Sequence, residues 1–219
     1  RDVAPSRGLG DVYKRQLSDH LRYTLQDKTS VPLKEELKYV ENYLKLTELR
    51  FPGCLNWKIH VDEECRNASV FPIILLMFTE NTIKHNMIMG ESLRVRITGS
   101  LVEHDGEKYV VLIHLDSGSG YFEEDLEYLN RPVSQQLHDF NGKKIGTYNL
   151  LKRLYLVYGE KAHVHFSNEP GWGAKSEITI PYIPYREDAN PPESKIEKSE
   201  PLFSHASDIP PVPGKRNES

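Results

Sequence analysis

Cysteine, methionine and tryptophan are scarce in this 219-residue chain, at two, three and two copies. Two cysteines exclude a disulfide scaffold, and Cys54 and Cys65 stand in no metal-binding spacing. Long apolar runs are missing too. The longest, Val70 to Phe78, falls far short of the roughly 20 residues a membrane helix needs. Basic charge is not in excess: 28 Lys and Arg face 32 Asp and Glu, for a net charge of -4. With a pI near 6.2, that balance argues against a protein that binds nucleic acid through a basic surface. There is no Gly-x-x-x-x-Gly-Lys-[Ser/Thr] phosphate loop and no internal repeat. The chain starts at Arg1, not methionine, and no signal peptide follows, so it reads as a fragment. For the same reason the glycosylation sequon Asn67-Ala68-Ser69 reads as chance.

What remains is enough for one domain with extra chain, since 38% of residues are hydrophobic. Residues 1–16 show no period and read as a remnant or scar outside the fold. Beyond Arg186 lie six of the 14 prolines, mixed with Glu, Lys and Ser, so 185–219 reads as a disordered tail. The stretch from Ile209 to Pro213 could dock as polyproline but reads as plain linker.

Between the ends, helical spacing covers Leu17–Gln26 and then Leu33, Leu37, Val40 and Leu44, and the helix carrying Tyr39, Tyr43 and Leu33, Leu37 and Leu44 reads either as core or as the seam of a dimerisation hairpin. Leu55–Val61 alternates as a strand, and Phe71–Ile88 reads as a buried helix. A strand from Leu93, a turn at His104–Glu107 and a strand at Tyr109–Leu115 make a hairpin. Thr147–Tyr158 is a helix stopped by Gly159. Two last strands, Ala162–Phe166 and Glu177–Pro181, flank a turn at Pro170–Gly173. Tight turns between strands predict an α/β two-layer sandwich: a mixed, largely antiparallel sheet with helices on one face. His163 and His165 share a strand face that reads as solvated surface.

Three polar clusters interrupt these apolar elements. Asn81, Lys84 and His85 stand at i, i+3 and i+4 and so share one helix face. An amide oxygen, an ammonium and an imidazole suit a magnesium-bound polyphosphate. The same spacing equally makes a solvated face with a Glu80–Lys84 pair. Asp116-Ser117-Gly118-Ser119-Gly120 puts a carboxylate at a strand end, able to accept from an exocyclic amine, with glycines beyond it. It also reads as a simple turn. Asn141-Gly142-Lys143-Lys144-Ile145-Gly146-Thr147 opens a helix, where orphan amides attract anions, although many helices begin this way.

In this order the clusters resemble the asparagine box and two glycine boxes of the GHKL (Bergerat) ATP-binding fold. More narrowly, the chain resembles sensor histidine kinases of the LytS/YesM type. The blocks that carry the resemblance are LSDHLRYTL from Leu17, EELKYVENYLKLTELRF from Glu35, FPIILLMFTENTIKHN from Phe71, DSGSG from Asp116 and IGTYNLLKRLYLVYG from Ile145. They run in register over Leu17 to Ile183.

The resemblance implies an ATP-binding catalytic domain at 53–184, preceded by the end of a helical dimerisation segment at 17–52. Asn81 would ligand Mg²⁺ between ATP phosphates, with Lys84 and His85 on the phosphate side. Asp116 would accept from the adenine amine, Gly118 and Gly120 would shape its pocket, and Gly146, Thr147 and Asn149 would form the second glycine box. The loop from Gly120 to Gly142 would be a lid over ATP. The family also implies phosphotransfer from ATP to a histidine and on to a response regulator. It implies a homodimer as well, in a cytoplasmic module whose intact parent is anchored in the membrane by upstream segments.

The chain departs from the family pattern at four places: Ser117 replaces an asparagine, Asn86 a glycine, Lys144 a glycine and Thr147 a leucine. The family's P-H-F-L-F-N acceptor motif has no counterpart in residues 1–16, and His20 falls where relatives carry leucine. No catalytic histidine is therefore assigned, and the chain is expected to bind ATP without phosphorylating itself. A degenerate, non-catalytic scaffold of the same fold is the alternative. A GHKL ATPase or anti-sigma-type serine kinase fits less well with the Leu17–Phe51 helical block.

Overall fold

The computed structural model describes residues 30–132, 135 and 145–187. The Leu17–Gln26 helix, the remnant at 1–16, residues 141–144 of the second glycine box and the tail from 188 onward lie outside the described residues.

Strand β1 (Val31–Pro32) leads into α1 (Leu33–Arg50), followed by β2 (Leu55–Val61), β3 (Ser69–Val70) and α2 (Ile74–Asn86). The hairpin β4 (Leu93–His104) and β5 (Glu107–Asp116) comes next, then α3 (Glu123–Leu129), α4 (Ile145–Tyr158), β6 (His163–Asn168) and β7 (Ala174–Pro181). The main sheet runs β2-β4-β5-β7-β6, while β1 and β3 pair separately. Every neighbouring pair in the main sheet is antiparallel except β2 and β4, which run parallel from Leu55 opposite Leu93 to Val61 opposite Gly99. A parallel pair needs a crossover, and the intervening α2 supplies it. The sheet is thus mixed and largely antiparallel, as the turn spacing predicts.

The apolar alternation of the strands makes one core face, with Val95, Ile97, Val110, Leu112, Ile178 and Ile180 buried beneath the helices. The stripe Leu33, Leu37, Val40 and Leu44 of α1 is buried in that same core. Those leucine and valine side chains fill this chain's own interior, with Tyr39 and Tyr43 only partly buried against it.

Helix α2 is shorter than the Phe71–Ile88 span expected from its pattern. It starts at Ile74 because Ile73 adopts φ +77, a left-handed conformation that a β-branched residue rarely takes. Glu36 of α1 holds this entry. Its buried carboxylate accepts from the Ile73, Leu75 and Leu76 amides at 2.9, 2.9 and 3.0 Å. Those are the orphan donors of a helix N-terminus, and a carboxylate there is favoured by both hydrogen bonding and the helix dipole.

Helix α4 runs from Ile145, two residues before the expected Thr147, and Gly159 follows it at φ +62 as the predicted stop. The predicted tail boundary falls where the chain is still tied down. Tyr185 donates its amide to the Asn67 carbonyl at 2.8 Å, and Ser69 donates to Ile183 at 2.7 Å. Cys54 and Cys65 are free, buried thiols, and His163 and His165 are exposed.

Candidate functional site

The second half of α2 turns polar on one side, where Asn81, Lys84 and His85 face a cavity of about 590 Å³. The other side of the helix, with Phe78, Thr79, Thr82 and Ile83, is buried. Opposite α2, strand β5 ends at the cavity. The two-residue period of a strand puts His114 and Asp116 on the same face, and both line the cavity while almost fully buried.

Asp116 is held on both oxygens. Thr82 donates its hydroxyl to Oδ2 at 2.7 Å, and the Gly118 amide donates to Oδ1 at 2.8 Å. A carboxylate has about four acceptor positions, so it keeps capacity for a ligand donor. Behind it, the Gly173 amide donates to the Asp116 carbonyl at 2.8 Å. Gly173 is delivered by a braced turn: the guanidinium carbons of Arg94 and Arg96 lie 4.5 and 4.7 Å from the Trp172 ring centroid. Arg94 also donates to the Gly171 carbonyl at 2.8 Å.

The glycines of the Asp116–Gly120 turn are required by contact. A Cβ on Gly118 would run into the Asn86 side chain, and one on Gly173 into the Gly118 backbone. Gly120 sits at φ +77 with Asn168 Oδ1 where its Cβ would be, 2.6 Å away. Asn168 in turn clasps the next residue, accepting from the Tyr121 amide at 2.7 Å and donating to its carbonyl at 2.9 Å.

Two of the departures from the family pattern have a structural counterpart here. Asn86 accepts from the Ser119 amide and hydroxyl at 3.1 and 3.3 Å, so it ties the end of α2 to the turn. The Ser117 hydroxyl accepts from the Arg94 amide at 2.9 Å while the Ser117 amide donates to the Arg94 carbonyl at 3.0 Å. Ser117 extends the β4–β5 pairing by one residue instead of lining the cavity.

Of the nine residues expected to bind ATP, Asn81, Lys84, His85, Asp116, Gly120 and Thr147 line this one cavity. Gly118 lies against Asn86 beside it. Gly146 occupies the first turn of α4, and Asn149 is an exposed residue of that helix and not part of the lining. The first part of the expected lid is anchored: α3 buries Leu129, and Asn130 makes paired bonds with the Phe166 backbone at 2.8 and 2.9 Å. Most of the loop beyond Pro132 lies outside the described residues.

Several site residues escape sequence reasoning. Thr82, the neighbour of Asn81, orients Asp116. Tyr121, which lines the cavity, shares a 2.7 Å hydroxyl contact with the buried Ser176, and burial pushes the Tyr121 phenol up to about 12. Burial likewise pushes the His114 imidazole down to about 4 against the opposing pull of Asp116, so the ring is neutral at ordinary pH. Strand alternation from Asp116 was the signal that could have found His114. Among the described residues no group of three or more His, Cys, Asp or Glu could hold a metal ion. A Mg²⁺ ion here would depend on the single hard oxygen of Asn81 together with ligand phosphates and water, and that donor set suits this ion.

This architecture is the fold of a histidine kinase catalytic domain. The catalytic domain of the histidine kinase ThkA superposes with a TM-score of 0.52 over 73% of this chain and 100% of that one, at 19% identity. The sequence comparisons give the family. A histidine kinase family model matches residues 11–55. The sensor protein LytS of Oceanobacillus iheyensis is 31% identical over 170 residues, covering 76% of this chain and 28% of LytS. The sensor protein kinase HptS of Staphylococcus aureus is 28% identical over 180 residues, covering 82% of this chain and 33% of HptS. The chain belongs to the sensor histidine kinases of the LytS type, and it spans about 28% of the length of the first of these relatives. Among the described residues no helix is long and apolar enough to cross a membrane.

Proposed function

We propose that this chain is the ATP-binding catalytic module of a two-component sensor histidine kinase. The observation that carries the reading is the convergence on one cavity of a buried, doubly anchored Asp116 and the Asn81–Lys84–His85 face. Asp116 accepts the adenine amine, and Lys84 and His85 donate to phosphate oxygens. With Asn81 as its protein ligand, bound Mg²⁺ neutralises phosphate charge. Thr147 and the amides around Gly146 close the phosphate end, favoured there by the α4 dipole.

Catalysis by such a site is positioning and charge neutralisation. A histidine imidazole nitrogen forms a bond to the γ-phosphorus as the bond to the ADP oxygen breaks. The phosphohistidine then passes its phosphoryl group to an aspartate of a response regulator. We assign no acceptor histidine among the residues of this chain, and this chain alone is expected not to label itself with ATP. In this reading the kinase acts as a homodimer.

Calorimetry with ATP and Mg²⁺ tests the reading. Saturable heat with an affinity in the micromolar range supports it; silence favours the alternative, a non-catalytic scaffold of the same fold.

A further inference from the structure

The turn that carries Gly173 is anchored on the side of the sheet away from the cavity. Arg94 and Arg96 alternate along β4 with the buried Val95 and Ile97, so both stand on the exposed face. Two cations at i and i+2 on one strand face repel each other. The half-buried Trp172 lies against both, its ring centroid 4.5 Å from the Arg94 guanidinium carbon and 4.7 Å from that of Arg96. An aromatic ring attracts each cation and so holds the group together. Arg94 adds a second tie, a 2.8 Å bond from its guanidinium to the Gly171 carbonyl.

From this anchor a short chain of contacts runs to the Asp116 carboxylate. Gly173 follows Trp172 directly and donates its amide to the Asp116 carbonyl at 2.8 Å. Gly173 also packs on the Gly118 backbone so closely that a Cβ would not fit. Gly118 in turn donates its amide to Asp116 Oδ1 at 2.8 Å. The Arg94 amide and carbonyl close the circuit on Ser117, bonding its hydroxyl and amide at 2.9 and 3.0 Å. Each residue from Asp116 to Gly118 is therefore held by the Trp172 turn or by the strand on which Trp172 is stacked. Arg94, Arg96 and Trp172 themselves do not line the cavity.

We propose that Trp172 is a positioning residue: stacked on Arg94 and Arg96, it fixes the aim of the Asp116 carboxylate and thereby sets the preference for 6-amino over 6-oxo purine nucleotides. This role rests on the nucleotide reading above and belongs to a residue outside the three clusters, on the opposite face of the sheet. A hydrogen bond from an exocyclic amine to Asp116 depends steeply on distance and angle. A slack turn therefore degrades the base contact, while the phosphate end on α2 and α4 does not depend on it.

Calorimetric binding of ATP and GTP, each with Mg²⁺, tests this in wild type, Trp172→Ala and Trp172→Phe. Wild type should prefer ATP. Trp172→Ala should narrow that preference by about three- to tenfold, chiefly through weaker ATP binding. Trp172→Phe keeps a ring for the guanidiniums and should recover most of it. General destabilisation would weaken both nucleotides in parallel, so the ATP-to-GTP ratio separates positioning from folding, and thermal melts establish that the variants fold. Arg96→Gln removes one cation from an exposed position and should narrow the ratio in the same direction; it decides the matter if Trp172→Ala does not fold. A ratio unchanged in the folded variants, or lowered equally in Trp172→Ala and Trp172→Phe, overturns the role of Trp172 and leaves the nucleotide site standing. A wild type that binds ATP and GTP equally overturns it as well, since no base preference is then being set. If wild type binds neither, the nucleotide reading falls and the proposal falls with it.

Discussion

The Glu36 carboxylate caps helix α2 from another helix, accepting from the Leu75 amide at 2.9 Å across 39 residues of sequence. The same oxygen takes the Leu76 amide and the other takes Ile73, so one side chain docks α1 and fixes where α2 begins. Helix α2 is also the element that presents Asn81 and Thr82. The position of the cavity's polar wall therefore depends on a residue outside the cavity.

Replacing Glu36 by alanine should destabilise the fold by about 3 kcal/mol or more, since three amides lose their acceptor in a buried place. Glu36→Gln keeps one acceptor oxygen and should lose less, about 1–2 kcal/mol. Urea denaturation of the three proteins measures both differences. Equal stability of wild type and Glu36→Ala would refute the capping role.

The contact of Gly118 with Asn86 predicts a rescue. Gly118→Ala should cost about 1–3 kcal/mol by overpacking, and Asn86→Gly added to it should restore much of that loss by removing the obstructing side chain. Gly173→Ala meets the Gly118 backbone and should not be rescued by Asn86→Gly. Denaturation midpoints of the single and double variants decide it.

In the cavity, Asn81→Asp sets a carboxylate against ATP phosphates and should lower Mg²⁺–ATP affinity by tenfold or more, which is about 1.4 kcal/mol. Asp116→Asn exchanges an acceptor oxygen for a donor and should weaken ATP more than other nucleoside triphosphates. Calorimetry on variants with unchanged melting temperature reads both. Unchanged affinity in Asn81→Asp would remove it from the site, and parallel loss of ATP and GTP in Asp116→Asn would argue against base recognition.

His114 should also mark the pH dependence of stability. Its folded pKa is depressed from 6.5 to about 4 by burial, so between those values the unfolded chain binds the proton and the folded chain does not. Stability then rises with pH across that window, by up to about 1.4 kcal/mol per unit, and is fully present above 6.5. His114→Phe should flatten the profile between pH 4 and 6.5 relative to wild type in urea titrations. Identical slopes would contradict the buried neutral ring.

The local patterns of the chain were enough to specify the main-sheet strands and the three longer helices, though not β1, β3 or α3. Alternation in Leu93–Ile97 and in Ala162–Phe166, the His104–Glu107 turn and the stop at Gly159 all depend on neighbours in sequence, where periodicity and turn chemistry operate. The order of the asparagine and glycine clusters was equally legible, and it led to the family. Packing decided the rest. Glu35 and Glu36 look alike in sequence, yet only Glu36 is buried, because α2 starts against that side of α1. The parallel β2–β4 pair depends on the α2 crossover, which turn signals do not describe.

The sequence by itself, then, determined the five main-sheet strands, the three longer helices and the resemblance carried by Asn81, Asp116 and their neighbours. Only the tertiary structure decided that the α1 stripe is core, that Thr82 orients Asp116, and that a buried His114 stands in the cavity wall beside it. The reason is physical. Periodicity records which face of an element avoids water, whereas hydrogen bonding and charge inside the fold depend on which distant elements close over that face.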